Sequence, residues 1–269
     1  MKIETLNIWG GRVYEPLIEH LKKQSEEVDI FCFQEVYSTP ENRIHTREVT
    51  VENGVTPFSN VNPERADIYE QIANHLPQFK GHFRSAQRDF DILGPVDYEL
   101  YSGLAIFVRH GIEIQEEGEI FVYREKDSAV ETDNSTLGRN LQYIKFSING
   151  KDFTVANLHG LWNGKGKGDA PERIEQSKKV KKFLDTLGGA IILCGDFNLA
   201  PDTESLAILE HGMKNLVMDY SITSTRSNFY LKPEKFADYI LVSPEVKVLD
   251  FKVLPDPVSD HLPLLLEFT

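Results

Sequence analysis

The chain has 269 residues, 41% of them hydrophobic, and a formal net charge of −13. That length and apolar content support a substantial packed core, and no apolar run approaches the roughly 18–20 residues of a membrane span. The acidic balance argues against a processive nucleic-acid binder, which needs a basic footprint to displace counterions. It leaves room for an enzyme that grips a single phosphate through a metal.

Lys2 to Trp9 alternates apolar and polar residues as a strand closed by Gly10-Gly11, and it lacks the basic and apolar regions of a signal peptide. Leu17, Ile18 and Leu21 give Tyr14 to Gln24 a helical period. Asp29 to Val36 is a short apolar strand that ends in a carboxylate, Glu35. Residues 38–66 are polar, without a period, and long enough to be functional or mobile. Asp67 to Leu76 predicts a helix with Asp67 at the N-cap. Leu104 to Arg109 and Ile112 to Tyr123 predict strands, the second broken by a polar turn at Glu116 to Glu119. Residues 124–138 form a charged loop.

Arg139 to Ile148 and Lys151 to Leu158 alternate well around Asn149-Gly150, the strongest short hairpin signal because both residues tolerate positive φ. Pro171 to Leu187 predicts a helix stopped by Gly188-Gly189. Ala190 to Cys194 is a buried strand that ends in Gly195-Asp196-Phe197-Asn198. A helix is expected over Asp202 to Glu210, and strands over Met213 to Met218, Ala237 to Val242, Val246 to Leu254 and Leu262 to Phe268. The whole predicts an α/β chain that spans residues 1–269 as one domain, with two packed sheets flanked by helices. Cys32 and Cys194 both sit in apolar strands and are expected as buried free thiols, which suits a cytoplasmic location.

Polar residues recur at the strand ends: Asn7, Glu35, His159, Asp196 with Asn198, Asp238, and Asp260-His261. Any one of them is an ordinary loop residue; their recurrence at five or six strands points to a shared site. Carboxylates and amides without a cysteine cluster or an HExxH spacing suit Mg²⁺ or Mn²⁺ and not the usual zinc sites. A carboxylate from another strand is expected to orient His261, raising its pKa and fixing its tautomer.

Thr5-Leu6-Asn7, Phe33-Gln34-Glu35-Val36, Asn157-Leu158-His159, Gly195-Asp196-Phe197-Asn198, Asp238-Tyr239-Ile240 and Ser259-Asp260-His261 run in one order along nearly the whole chain. In this the sequence resembles the endonuclease/exonuclease/phosphatase superfamily, the metal-dependent phosphoesterases related to DNase I, abasic-site endonucleases and sphingomyelinases. The resemblance implies a four-layer α/β sandwich of two mixed sheets flanked by helices. It implies Glu35 as the principal Mg²⁺ ligand, with Asn7 and Asp260 completing the metal neighbourhood directly or through water. It implies His261, oriented by Asp238, to activate water or hold the phosphate, and Asp196 to position or deprotonate the nucleophile. Asn198 would donate to a phosphoryl oxygen, and His159 would contact the phosphate or protonate the leaving group. In the DNase I branch a glutamate partners the first histidine; Ser102-Gly103 stands at what looks like the corresponding strand.

Arg139, Trp162, Asn163 and Lys165 are the candidate substrate contacts. Lys165 and Lys167, spaced by glycines, predict a mobile basic loop able to close over an anion, while Trp9 and Trp162 read more readily as rim aromatics covering the core than as stacking platforms. Arg173 and Gln176 on the following helix are not counted as site residues. The expected activity is Mg²⁺-dependent hydrolysis of a phosphodiester by in-line attack of water, nuclease-like, with nucleic acid a candidate substrate. The alternatives are a phosphatase or phosphodiesterase for a small or lipid-linked phosphate, and a catalytically silent binding module.

Overall fold

The computed structural model describes residues 1–46, 63–91, 93–130 and 137–269. Much of the polar connection 38–66 and part of the charged loop 124–138 therefore lie outside the described residues.

The strands are β1 (Lys2–Asn7), β2 (Ile30–Ser38), β3 (Phe79–Arg88), β4 (Phe90–Asp91), β5 (Gly94–Pro95), β6 (Tyr101–Arg109), β7 (Ile114–Tyr123), β8 (Arg139–Ile148), β9 (Lys151–His159), β10 (Ala190–Asp196), β11 (Lys214–Asn215), β12 (Asp238–Val242), β13 (Val248–Val253) and β14 (Leu264–Phe268). The helices are α1 (Tyr14–Gln24), α2 (Ile68–His75), α3 (Pro171–Leu184), α4 (Glu204–Glu210) and α5 (Leu216–Asp219). One six-stranded sheet runs β13-β14-β1-β2-β6-β3 and the other β11-β12-β10-β9-β8-β7. Each sheet is mixed: β1 pairs parallel with β2 and β9 parallel with β10, while the other pairs are antiparallel.

Alternation along the strands decides the layers. In the first sheet Ile3, Ile30, Cys32, Ile106 and Val108 face the second sheet, while Leu6, Phe31, Phe33 and Phe107 turn outward onto Leu17 and Leu21 of α1 and Ile68 and Ile72 of α2. Beyond the second sheet, Val180 and Leu184 of α3 and Leu206 and Leu209 of α4 close the far side. The result is the expected four-layer α/β sandwich. Its inner faces are not wholly apolar: Gln34 Nε2 donates to Asn157 Oδ1 (2.6 Å) and Thr5 Oγ1 (3.1 Å), and Asn157 Nδ2 donates to Phe33 O (3.0 Å). This amide pair crosses between the sheets directly beneath the site described below. Cys32 and Cys194 are buried free thiols.

Several expectations need correction. The β1 strand stops at Asn7, and Trp9–Gly11 forms a short 3₁₀ turn with Trp9 at φ 51° and Gly10 at φ 58°. Asp67 sits at the N-cap of α2, but its carboxylate accepts from Arg65 Nε and Gln71 Nε2 and not from the helix backbone. The strand β3 is missing from the sequence reading because its apolar residues do not keep a clean period of two; a register shift between Ser85 and Gln87 breaks it. No turn interrupts β7 at Glu116 to Glu119. It is an edge strand whose Glu116 pairs with Lys145, Glu119 with Asn140, and Glu117 with His82 of β3 in the opposite sheet, a charged composition that protects an edge. Met213 to Met218 holds only a two-residue strand before α5, whose start Asn215 caps by accepting from Val217 N and Met218 N.

Gly195 has φ 132°, and a Cβ there would lie 2.1 Å from Leu158 O on the neighbouring strand. Gly195→Ala is therefore expected to destabilise the fold by about 2 kcal/mol or more, read as a lower urea midpoint. An unchanged midpoint would mean that the two strands can part without loss.

Candidate active site

The polar strand ends meet at one rim of the sandwich. Asp196 closes β10 with His159 beside it on β9 and Asp238 beside it on β12, so the three side chains share one rung and one face. Asn7 ends β1 opposite them. Its Nδ2 donates to Asp196 Oδ2 (3.1 Å) and to Glu35 Oε1 (3.0 Å), and its Oδ1 accepts from Trp9 N (2.9 Å). Asn7 thus orients the two carboxylates through its nitrogen, while its oxygen accepts from the backbone.

Glu35 reaches the site through a β-bulge. Strict alternation would send it outward with Phe33, but the pairing of β2 with β6 slips between Phe33 and Val36, and Glu35 takes φ 56°. The extra residue re-aims its carboxylate into the cleft. Burial, and then the neighbouring Asp260 and Asp196 carboxylates, push its pKa up.

His261 Nδ1 lies 2.7 Å from Asp238 Oδ1, whose other oxygen accepts from Thr225 Oγ1 (2.8 Å). Its Nε2 faces Asp196 Oδ2 at 3.6 Å and Asp260 Oδ1 at 3.7 Å, and it also meets Arg226 Nη1. Burial and Arg226 oppose a charged ring, but Asp238, Asp260 and Asp196 outweigh them and raise its pKa. Geometry and charge thus pull in opposite directions at Nε2, since an arginine N–H aimed there requires a lone pair. We assign the neutral ring to this arrangement, because a protonated Nε2 would set two N–H donors against each other. The three carboxylates then stabilise the proton that the ring takes up. Asp196 behaves in the converse way: burial would raise its pKa, but His261, Lys167, His159 and Arg226 hold it well below the usual carboxylate range.

Arg139 Nη1 donates to His159 Nδ1 (3.2 Å), which leaves the ring proton on Nε2, 3.7 Å from Glu35 Oε1 and 3.8 Å from Asp196 Oδ2. Burial, with Arg139 next, drives the His159 pKa well below its ordinary value. The imidazole is neutral, so it offers an N–H to a phosphoryl oxygen but no imidazolium to a leaving group. Ser102 and Gly103 line the cleft nearby, and the Nδ1 partner of this histidine is an arginine and not a glutamate.

The cleft encloses about 280 Å³, and its lining includes Glu35, Arg139, His159, Trp162, Asp196, Asn198, Asp260 and His261. Asp238 stands behind His261. Asn163 and Lys165 are not brought into it: Asn163 Oδ1 accepts from Arg173 Nη2 (3.2 Å) and Lys165 N (3.1 Å). Nor is the glycine-rich loop free to close. The buried Arg173 binds the carbonyls of Leu161, Gly166 and Gly168, and Gln176 Oε1 accepts from Leu161 N, so helix α3 clamps residues 161–168. That clamp delivers Lys167 inward, where its Nζ donates to Asn198 Oδ1. Asn198 Nδ2 in turn donates to Gly160 O (3.1 Å), so this amide is occupied within the loop.

Sequence reasoning missed Arg226, which also reaches Asp260 Oδ2 (3.3 Å) and stacks on Tyr230. It missed Tyr37, Glu64 and Asp91 on another wall as well. Arg226 and Glu64 lie outside any strand or motif, and Tyr37 stands just past the apolar run that the sequence marks.

The Endonuclease/Exonuclease/phosphatase family profile matches residues 5–261, with all six motif segments inside that span. The chain belongs to this family. Its members are hydrolases acting on phosphoesters. No curated protein matches the sequence. Among solved structures the chain is similar to a mannosyl-6-phosphatase from Bacteroides thetaiotaomicron (19% identity, TM-score 0.68, 100% of this chain and 99% of that one). It is similar to an endonuclease/exonuclease/phosphatase family protein from Leptotrichia buccalis (18% identity, TM-score 0.69, 100% and 99%). It is also similar to D. rerio TDP2 complexed with a single-strand DNA product (14% identity, TM-score 0.63, 100% and 98%). At these identities the likeness is one of fold.

The donor set fits a hard divalent cation. Glu35 and Asp260 face the cleft as carboxylates that repel each other, and no thiolate is near; Glu35, His159 and Asp196 also place ligand atoms within 4.8 Å of one another. Among the described residues no helix is long and apolar enough to cross a membrane.

Proposed function

We propose that residues 1–269 act as one catalytic unit that hydrolyses a small phosphoester by in-line attack of water. The observation that carries this reading is the convergence, on Asp196, of Asn7 and Glu35 from one sheet and of His159 and the Asp238–His261 pair from the other. Asp196, ionised throughout the working pH range, accepts a hydrogen bond from the attacking water and aligns it. His261 Nε2 takes the proton as the new P–O bond forms, and Asp238 holds the resulting imidazolium. Arg226 moves from Nε2 to a phosphoryl oxygen when substrate arrives. Neutral His159 donates its Nε2–H to another phosphoryl oxygen, the P–O bond to the leaving group breaks, and the leaving oxygen is protonated from solvent. Glu35 and Asp260 would hold the cation, Mg²⁺ or Mn²⁺, whose chemistry is to neutralise charge that accumulates on the phosphoryl group.

A small substrate is favoured over a nucleic acid by the distribution of charge. Arg139, Lys167 and Arg226 sit around His159, Asn198 and His261, whereas the wall beyond Glu35 carries the buried Glu64 and Asp91. A polyanion would place its next phosphate beside Asp91 and a Glu64 already paired with Arg12. The fold's likeness to a mannosyl-6-phosphatase is in keeping with this reading. The nuclease-like alternative rests on Trp9 and Trp162, which flank the cleft as stacking surfaces, and on the likeness to a protein solved with a DNA product.

Turnover of p-nitrophenyl phosphate and bis-p-nitrophenyl phosphate, followed against Mg²⁺ concentration, tests the proposal. Glu35→Gln is expected to lower turnover at least 10-fold and to move the half-activating Mg²⁺ concentration upward by a similar factor. Turnover in excess chelator, or an unchanged Mg²⁺ response in the variant, would defeat it.

A further inference from the structure

Among the described residues, Lys167 and Arg139 are cations of the cleft that lack a counter-ion. Lys167 is 6% exposed, its Nζ is bound to the amide oxygen of Asn198, and among the described residues no carboxylate lies within ion-pairing distance. Arg139 is half-buried; among the described residues its only side-chain bond is to the neutral His159 ring, and its Nε is shielded from water without a partner. The contrast with the other arginines around the rim is sharp: Arg226 is paired with Asp260, Arg12 with Glu64, and Arg173 with backbone carbonyls. A buried charge without a partner is strongly disfavoured, and a protein keeps one where a ligand supplies the opposite charge. Both cations act on His159, and both feel Asp196, so they flank one locus. Glu35 and Asp260 are spoken for by the divalent cation, which leaves Arg139 and Lys167 for the substrate, beside the Arg226 that Asp260 holds until substrate arrives.

Building on the hydrolytic reading above, we propose that Arg139 and Lys167 form a receptor for the dianion of a terminal phosphate, so that the site selects phosphate monoesters over diesters. A monoester carries close to two negative charges at neutral pH, because its second pKa is about 6. A diester carries one, and its second ester group fills the space of the missing charged oxygen. Lys167 is the discriminating residue of the two, since Arg139 also fixes the His159 tautomer and serves either substrate. Arg173 is a positioning residue that turns Lys167 inward through the carbonyls on either side of it.

The experiment compares wild type, Lys167→Met and Lys167→Arg on p-nitrophenyl phosphate and bis-p-nitrophenyl phosphate, and uses inorganic phosphate as a thermal-shift probe. Wild type is expected to prefer the monoester. Lys167→Met should lower its kcat/KM on the monoester by on the order of 100-fold and on the diester by less than about 5-fold, with Lys167→Arg recovering much of the loss. Without ligand, Lys167→Met should melt at a higher temperature than wild type, because an unpaired buried charge has gone; inorganic phosphate should raise the wild-type Tm and leave that of the variant unmoved. Equal losses on the two substrates, or an undiminished phosphate shift in Lys167→Met, would overturn the receptor. No turnover of either ester by wild type would instead defeat the hydrolytic reading, while the phosphate shift would still report on the receptor.

Discussion

His261→Ala is expected to lower kcat on any phosphoester substrate by about 10²–10⁴-fold, since the ring is the group placed to take the proton of the attacking water. Asp238→Asn should cost less and leave a signature of its own. The His261 pKa lies above its ordinary value because three carboxylates together overcome burial and Arg226, with Asp238 the largest of the three. Water activation needs the neutral ring, so kcat should rise as pH climbs through that raised value. Removing the Asp238 charge lowers the pKa, and the rising limb must therefore move to lower pH as maximal turnover falls. Stopped assays across pH 5–9 on both variants test this. A limb that stays in place in Asp238→Asn would mean that some other group takes the proton.

The largest effect on stability is expected far from the chemistry, at His20. This histidine of α1 meets the fully buried Glu4 of β1 (Nε2 to Oε1, 2.9 Å), and Asp256 stands 3.6 Å from its Nδ1. Burial disfavours a charged His20, but Glu4 and then Asp256 outweigh it, and the pKa of the ring lies above its usual value. His20→Leu leaves the Glu4 carboxylate buried without a partner, at a cost of about 3–5 kcal/mol. The sign of the pH dependence follows from linkage. A histidine whose folded-state pKa is raised contributes its full stabilisation below the unfolded value near 6.5, and loses it as pH climbs through the folded value. Urea midpoints of wild type and variant should therefore differ most near pH 6, and the gap should narrow at alkaline pH to what the neutral ring still contributes. A gap that widens above pH 8 would show that His20 is neutral in the native state. The pair also bears on the site, because Asp256 begins the loop that carries Asp260 and His261.

What could be read from the chain before its structure follows from how far each signal reaches. Asn7, Glu35, His159, Asp196 and Asp238 were legible because each interrupts or bounds an apolar run, where a polar residue stands out. Tyr14–Gln24 and the Asn149-Gly150 hairpin were legible because their period and turn chemistry are local. Lys165 and Lys167 were not separable. They have the same glycine neighbours, and only the buried Arg173, through carbonyls that no sequence pattern marks, turns one inward and leaves the other at the surface. Arg226 was invisible for a similar reason: it reaches His261 across 35 residues through an isolated backbone bridge, outside any periodic element. The bulge at Glu35 explains a success that alternation alone would have denied, since a regular strand would have pointed that side chain away from the cleft.

Asn7 and Glu35 hang from one sheet, and His159, Asp196 and Asp238 from the other, so the distances that matter span a joint between two plates. Oily faces grip without direction, and a small glide of one plate over the other would leave most of that grip intact. The Gln34–Asn157 pair behaves differently: at 2.6 Å, and with Asn157 tied onward to the Phe33 carbonyl, it weakens steeply once its partners are out of line. It works as a dowel set just below the gap where the reacting atoms must meet. The alignment tolerance of the catalytic groups is accordingly that of a hydrogen bond and not that of a hydrophobic core.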